Sequence, residues 1–421
     1  MGVATIATVS YSRGRPLQAR IRLLSVSALA AGSLLLGSCG PARQSVLDEQ
    51  SLFSMQLGRL EDQVDIISRD GVVPRADTEL AMRDGMIYVA DGAAGKIMEF
   101  TSFGELVRLI YHPDRNPEPV TLAQAAEDGD EVTRVAAPYR FQQLGNVAVD
   151  SRRYIYAEDR LPDERAVFDE SLGVQLNRIV VRFNDEGVPL DYLGQEGIGG
   201  TPFPHIDALF VTVRDELVVV STTTGSKLVH VFSAEGEQMY VVRIRLDRLP
   251  IPGEDDDSIA VLQEVVAGLD AYRIYLRVSY YRPSVAAGSG EQFGIDFDHS
   301  RIYWLNLESG RYEGFMELPR GTREDEQTLH HELVGVARGE HVFLLARQDI
   351  GQTRLVIMND AGRVLRRRVL AVPEVELVLR RFALDDRGVL TSFLGFEDRA
   401  EIVWWRSDRL LPEMGDGSDE G

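Results

Sequence analysis

Few residues in this 421-residue chain have the type and spacing of a reactive site. The one cysteine, Cys39, excludes an intrachain disulfide and a thiolate metal cluster. No Gly-x-Ser-x-Gly elbow, His-Glu-x-x-His pair or Walker loop occurs. Gly92-Ala-Ala-Gly95-Lys96-Ile97 has the wrong glycine spacing, with Ile where Ser or Thr would hold magnesium. It reads as a hairpin turn with Lys96 opening a strand. Gly194-Gln-Glu-Gly197-Ile-Gly199-Gly200 is followed by Pro202, where the dinucleotide fingerprint needs its third glycine, and reads as a loop. His330-His331-Glu332 is a metal-ligand composition, but neighbours on a strand point to opposite faces. Asp296-Phe297-Asp298-His299 supplies oxygen and nitrogen donors without the spacing of a calcium loop. Glu254-Asp255-Asp256-Asp257, behind Pro250 and Pro252, reads as a solvated linker.

Composition narrows the classes further. Lys and Arg number 45 against 66 Asp and Glu, a formal charge of −21. Lys96 and Lys227 are the only lysines. The acidic excess repels nucleic acid and anionic headgroups, so a nucleic-acid partner is excluded. An acidic surface maintains solubility. With 44% hydrophobic and 26% charged residues, the body is globular. No apolar run beyond residue 40 is long enough for a membrane helix.

The N-terminus reads as an address. Arg13, Arg15, Arg20 and Arg22 precede an apolar run from Leu23 to Leu36, then Gly37, Ser38 and Cys39, the pattern of a secretory signal. Leu36-Gly37-Ser38-Cys39 resembles the lipobox of bacterial lipoproteins. The resemblance implies cleavage between Ser38 and Cys39, diacylglycerol on the Cys39 thiol, and acylation (palmitate) of the new N-terminus. The small Gly-Ser pair lets a peptidase approach the backbone, and a thiol is the nucleophile a thioether needs. Two or more acyl chains anchor stably, at about 0.8 kcal/mol per buried methylene. Gly40 stands where an inner-membrane retention signal would have Asp. The expected address is therefore the bacterial cell envelope, at the outer membrane. Residues 1–38 form the signal peptide and 39–56 a tether.

The remainder repeats one phrase. A short apolar strand is followed by a gap, a second strand headed by a basic or polar residue, a polar turn with Gly, and a third strand. Copies run through Met86–Asp91, Lys96–Phe100 and Leu106–Ile110; Tyr154–Ala157, Arg178–Phe183 and Pro189–Leu193; Glu216–Val220, Lys227–Phe232 and Gln238–Ile244; Tyr272–Leu276, Arg301–Leu305 and Tyr312–Phe315; His341–Leu345, Arg354–Met358 and Val364–Leu365; and Gly388–Phe393 with Glu401–Trp405. The turn glycines fall at 104, 187, 236, 310 and 362, where a left-handed residue is least costly. Leading strands occupy Thr78–Met82, Asn146–Val149, Leu209–Val213, Val265–Leu269, Leu333–Ala337 and Leu379–Leu384. Four strands per repeat of about 40 residues is the signature of a β-propeller. The fold class is therefore all-β: a six-bladed β-propeller of four-stranded antiparallel blades over residues 57–411, with insertions near 112–138 and 280–293. The rival, a pair of β-sandwiches, does not need a phrase repeated this way. The sixth copy lacks a fourth strand, and residues 60–68, with Val64, Ile66 and Ile67, are expected to supply it and close the ring. Residues 412–421 read as a disordered acidic tail.

Phrases such as Ile87-Tyr-Val-Ala-Asp91 and Arg178-Ile-Val-Val-Arg-Phe-Asn-Asp-Glu-Gly187 resemble the NHL-repeat and TolB-like six-bladed propellers. With the lipobox, the chain is similar to propeller lipoproteins of bacterial envelopes, spirochaete examples included. That resemblance implies binding or scaffolding for an envelope protein, peptide or glycan, attached to the membrane through Cys39, with no cofactor. The alternative is a metal-dependent hydrolase resembling the propeller lactonases, whose Glu, Asn and Asp ligands lie in the central channel. On the leading strands only Asn146, Asp150 and Asp207 meet that requirement. Tyr280 and Tyr281, opening the 280–293 insertion, and the adjacent Trp404 and Trp405 are the candidates for a contact surface.

Overall fold

The computed structural model describes residues 45–67, 78–124, 134–253, 258–270, 272–285, 292–319, 330–349, 352–372 and 376–411. Ser38, Cys39, the 412–421 tail and the Glu254–Asp257 run lie outside them. Six sheets form a six-bladed propeller ring. Blade one has an inner strand Thr78–Arg83, a second strand Met86–Asp91, a third strand Lys96–Phe100 and an outer strand Leu106–Tyr111. The inner strands of blades two to six are Val147–Val149, His205–Val211, Ile259–Ala267, His331–Ala337 and Leu379–Leu384. These are the predicted leading strands, and the strand headed by a basic residue is the third of each blade.

The burial pattern explains the sequence pattern. Second strands such as Leu217–Thr222 lie between two neighbouring blades, so both faces need apolar, β-branched residues. The hydrophobic core is accordingly divided into clusters, each shared by adjacent blades. Ile87, Met98 and Phe100 of blade one meet Phe393 and Ile402 of blade six. Val218 and Val229 of blade three meet Ile274 and Leu276 of blade four. A polar tie joins blades one and two. Fully buried Glu99 accepts from Tyr88 Oη at 2.9 Å and pairs with Arg108 Nε at 2.7 Å and Arg153 Nη2 at 2.7 Å. Arg108 then donates to the Asn184 carbonyl at 2.7 Å.

The ring is closed by an N-terminal strand, but not the expected one. Glu49–Gln56 pairs antiparallel with Arg399–Trp405 and becomes the outer strand of blade six. This strand lies within the span read as a tether. Outer strands are half exposed, and the polar residues among Leu52, Phe53 and Met55 hide the strand from a search for apolar alternation. Residues 60–67 instead form a loop whose Val64 and Ile66 are buried in the core shared by blades six and one. The peptide N–H of Asp65 donates to buried Asp91 at 2.8 Å, and Lys96 Nζ donates to the Leu60 carbonyl at 2.6 Å, which hold that loop down. Immediately before the closing strand, Val46–Leu47 pairs parallel with the outer strand of blade five.

Both insertions are elaborations of blades. The first adds the parallel strands Ala123–Gln124 and Val135–Pro138 outside blade one. The second lengthens blade four, whose second and third strands run Arg273–Val285 and Gln292–Asn306. A further hairpin, Val167–Asp169 with Val174–Leu176, interrupts blade two and falls in the gap between two of the repeated strands.

All five predicted turn glycines have positive φ. Gly104, at φ +82°, also faces the closing strand, where an added Cβ would lie 2.6 Å from that of Phe53. Gly85 has φ +81° but nothing within 4 Å. Gly85→Ala should therefore lower stability by about 1 kcal/mol through backbone strain alone. Gly104→Ala should lose roughly 2–4 kcal/mol. Equal denaturation midpoints for the two variants would show that the turn does not press on the closing strand.

Buried His230 sits between Phe203 and Phe232, at ring-centroid distances of 5.2 and 6.3 Å. Burial pushes its pKa down from 6.5 to about 4. Between those values the unfolded chain binds a proton that the native ring does not, so its stability contribution is lost as pH falls through that window. Burial pushes Asp91 and Asp159 up to about 6, which acts in the opposite sense at acid pH. The difference between wild type and His230→Phe isolates the imidazole. It should change by about 2 kcal/mol between neutral pH and about pH 5, and a pH-independent difference would contradict the assignment.

Candidate functional site

The inner strands run parallel around a central channel, which gives two distinct mouths. Contacts join strand starts to starts and ends to ends: Asn146 Nδ2 approaches the Ile206 carbonyl at 3.4 Å, and Arg387 reaches Asp84 at 3.4 Å. The cavity measures about 220 Å³ and is lined by every blade, for example by Leu80, Val147, Leu209, Val266, Val336 and Phe382. Its wall carries no acid until the lower mouth, where Asp385 and Asp386 appear.

The upper mouth, where the inner strands begin, is charged, and its charges are matched. Glu79 of blade one pairs with Arg381 of blade six at 3.1 Å. In blade two Glu158 accepts from Asn146 Nδ2 at 2.6 Å and pairs with Arg178 at 3.5 Å. Asp207 of blade three holds Lys227 at 3.0 Å and accepts from Thr222 Oγ1 at 2.5 Å. In blade four Glu264 pairs with Arg277, whose Nη2 lies 2.7 Å away. Arg277 continues to Ser279 at 3.2 Å, which lies 2.9 Å from Ser300 Oγ. Blade five contributes His331, held neutral with its pKa pushed down to about 4 by burial and by Arg277, Arg354 and Arg367 nearby. Arg178 and Lys227 are residues that head third strands, so the recurring basic position was the sequence signal for this ring. Their acidic partners Glu158 and Asp207 come from other strands, a match that only the register creates.

The lower mouth is laced shut by the turns between inner and second strands. Arg83 of blade one reaches Asp215 of blade three at 3.4 Å, and Asp215 accepts from Ser151 Oγ of blade two at 2.6 Å. Arg338 of blade five pairs with Asp386 of blade six at 2.6 Å.

The sequence candidates separate on this frame. Asn146 and Asp207 do reach the upper mouth, each within its own blade's pair. Asp150 does not line that mouth. It is fully buried in the turn of blade two, where it accepts from the N–H groups of Arg152 at 2.9 Å and Tyr154 at 2.8 Å and pairs with Arg152 at 2.7 Å. Tyr280 is no surface contact. It is buried, its hydroxyl donates to the Pro250 carbonyl at 2.7 Å, and its ring stacks on His299 at 4.8 Å. Trp405 is also buried, against Phe382. Trp404 faces the other way and donates Nε1 to Gln50 Oε1 on the closing strand at 2.9 Å. Tyr281 is likewise half exposed, with its ring edge-on to Phe297 at 5.8 Å. Strand alternation puts one residue of each aromatic pair inside.

The two sequence motifs with metal-ligand composition disperse. His330 packs on Phe297 at 4.8 Å while His331 turns inward. Asp298 is held by Arg282 at 3.0 Å. Among the described residues no three His, Cys, Asp or Glu side chains gather as a ligand set.

No family model matches this sequence, and no curated protein is similar to it. Among solved structures the chain is similar to a gluconolactonase from Xanthomonas campestris, with 12% identity, coverage of 87% of this chain and 97% of that one, and a TM-score of 0.39. It is also similar to the β-propeller domain of the Trilobed protease from Pyrococcus furiosus, with 9% identity, 78% and 95% coverage and a TM-score of 0.38. An ulvan lyase of a polysaccharide lyase family shares 13% identity over 85% and 83% of the two chains, with a TM-score of 0.38. At these scores the likenesses carry no argument about chemistry.

A structural role for the turn carboxylate has a measurable consequence. Asp150→Ala should lower stability by roughly 3 kcal/mol, because buried backbone donors lose their acceptor. Asp207→Asn, at the half-exposed upper mouth, should lose under about 1 kcal/mol. Chemical denaturation of the two variants checks the order, and a neutral Asp150→Ala would refute the turn lock.

Proposed function

We propose that this protein is a lipid-anchored propeller of the bacterial cell envelope that serves as a non-catalytic binding or scaffold module. Its partner is an envelope protein, a peptide or a glycan, and its membrane attachment is the acylated Cys39 at the outer membrane.

One observation carries the binding reading. The lengthened hairpin of blade four displays an apolar sheet face. Ile259 lies opposite Tyr281, and Tyr281 opposite Phe297. Pro283 lies opposite Ile295. Direct cross-strand partners share a face, so these residues are presented together. Ile259 is 44% exposed, Val261 38% and Ile295 53%. Exposed apolar side chains gathered on a projecting element mark an interaction surface rather than a requirement of the fold. The matched charges at both mouths support the same reading, since the upper-mouth carboxylates already hold Arg or Lys.

Two measurements test the proposal. Cys39→Ser behind an ordinary cleavable secretory signal should move the chain from the membrane fraction to the soluble fraction, and the wild-type chain should carry an acylated Cys39 by intact mass. A soluble wild-type chain with a free thiol would end the anchor reading. Ile295→Asp should abolish capture of a stoichiometric partner from detergent-solubilised envelope and leave the melting temperature unchanged. Undiminished capture would end the assignment of this face.

A further inference from the structure

The outer strand of blade five, Val364–Ala371, has a composition at odds with the rest of the molecule. Arg363, Arg366, Arg367 and Arg368 crowd one short segment of a chain whose net charge is −21. Arg363, Arg366 and Arg367 are exposed and Arg368 is half buried. Among the described residues none of the four has a carboxylate within ion-pair distance. Arg366 Nη1 donates only to the neighbouring Leu365 carbonyl, and Arg368 Nη1 only to that of Arg367, both at 2.8 Å. Many other arginines of the chain pair with carboxylates, as in Arg182 with Asp191 at 2.6 Å and Arg338 with Asp386 at 2.6 Å. Asp360, three residues before Arg363, and Asp48, just after the segment that pairs with this strand, are exposed and make no ion pair with the four arginines among the described residues.

The same strand receives the N-terminal segment. Val46 and Leu47 pair with Val369 and Leu370, and Val369 N donates to the Ser45 carbonyl at 3.3 Å. The chain thus leaves the propeller beside the arginines. Five residues lie between Cys39 and Ser45, a covalent reach of at most about 20 Å.

We infer that these arginines are a docking surface for the anionic phosphate headgroups of the membrane that holds the lipid anchor; the inference rests on the anchor reading above. A lipid on Cys39 brings this flank of blade five to the bilayer. The acidic remainder of the surface is repelled by anionic headgroups, while guanidinium groups pair with phosphate bidentately. The attraction extends about one Debye length, roughly 8 Å at physiological salt, so it acts only at contact. The propeller is therefore fixed in orientation as well as tethered, with blade five toward the lipid.

The test separates headgroup contact from acylation. The mature chain, residues 39–421, carrying Cys39→Ser is sedimented with vesicles of phosphatidylcholine alone or with about one-third phosphatidylglycerol. The expected result is binding only to the anionic vesicles, weakened by salt. Arg363→Gln, Arg366→Gln and Arg367→Gln should each lower that affinity about fivefold, and together about a hundredfold, with the melting temperature unchanged. Equal binding to both vesicle types, or no loss in the triple variant, would overturn the inference. So would retention on a sulfated polysaccharide equal to that on vesicles, which would make the patch a general polyanion site. An unmodified Cys39 in the wild-type chain alongside intact anionic-vesicle binding would remove the anchor and leave the headgroup contact supported.

Discussion

The ladder between Glu49–Gln56 and Arg399–Trp405 is the constraint on which the rest of the molecule depends. Every blade buries its two faces against two neighbours, so no sheet here has a private core. A ring of such sheets is stable only when it has no end. Joining the first regular strand to the last supplies blade six with its outer strand and brings Met55 into the core shared with blade one. Phe53 then gives the turn at Gly104 a surface to press on. Unpaired strand edges, which would otherwise recruit another chain, are left only at the rim.

The inner and second strands were legible because burial on both faces forces an apolar run, and the turn glycines because left-handed backbone forces the residue. The closing strand was misplaced for the opposite reason. An outer strand has one wet face, and Glu49-Gln50-Ser51 looks like linker until its partner is known. Residues 60–67 carried the stronger apolar signal because Val64 and Ile66 really are buried, in a wedge rather than a ladder. Asp150 illustrates a different blind spot. A carboxylate at the end of a leading strand satisfies the composition of a channel ligand, and only the turn geometry shows it serving backbone donors. The pairing of Glu158 with Arg178 depends on cross-strand register, which spacing along the chain does not encode.

Charge is used in two ways. Around the channel, acids and bases are matched pair by pair, tying blades to each other and closing one end. On the perimeter the pattern breaks: among the described residues the arginine strand of blade five has no ion-pair partner from other blades, and the apolar face of blade four keeps Ile259, Val261 and Ile295 exposed. Adjacent blades therefore carry the two surfaces whose composition the architecture itself does not require.

The order of the strands along the chain also constrains how the protein is made. The strand that completes blade six precedes all six blades in the chain, and its partner follows the first five. Blades one to five can assemble without that partner, but the disc stays an open arc until Arg399–Trp405 is in place. Any product truncated before Arg399 would keep Phe53 and Met55 without a mate. Quality control that recognises such orphaned apolar strands would therefore distinguish finished copies from unfinished ones by whether the first and last strands of the propeller have met.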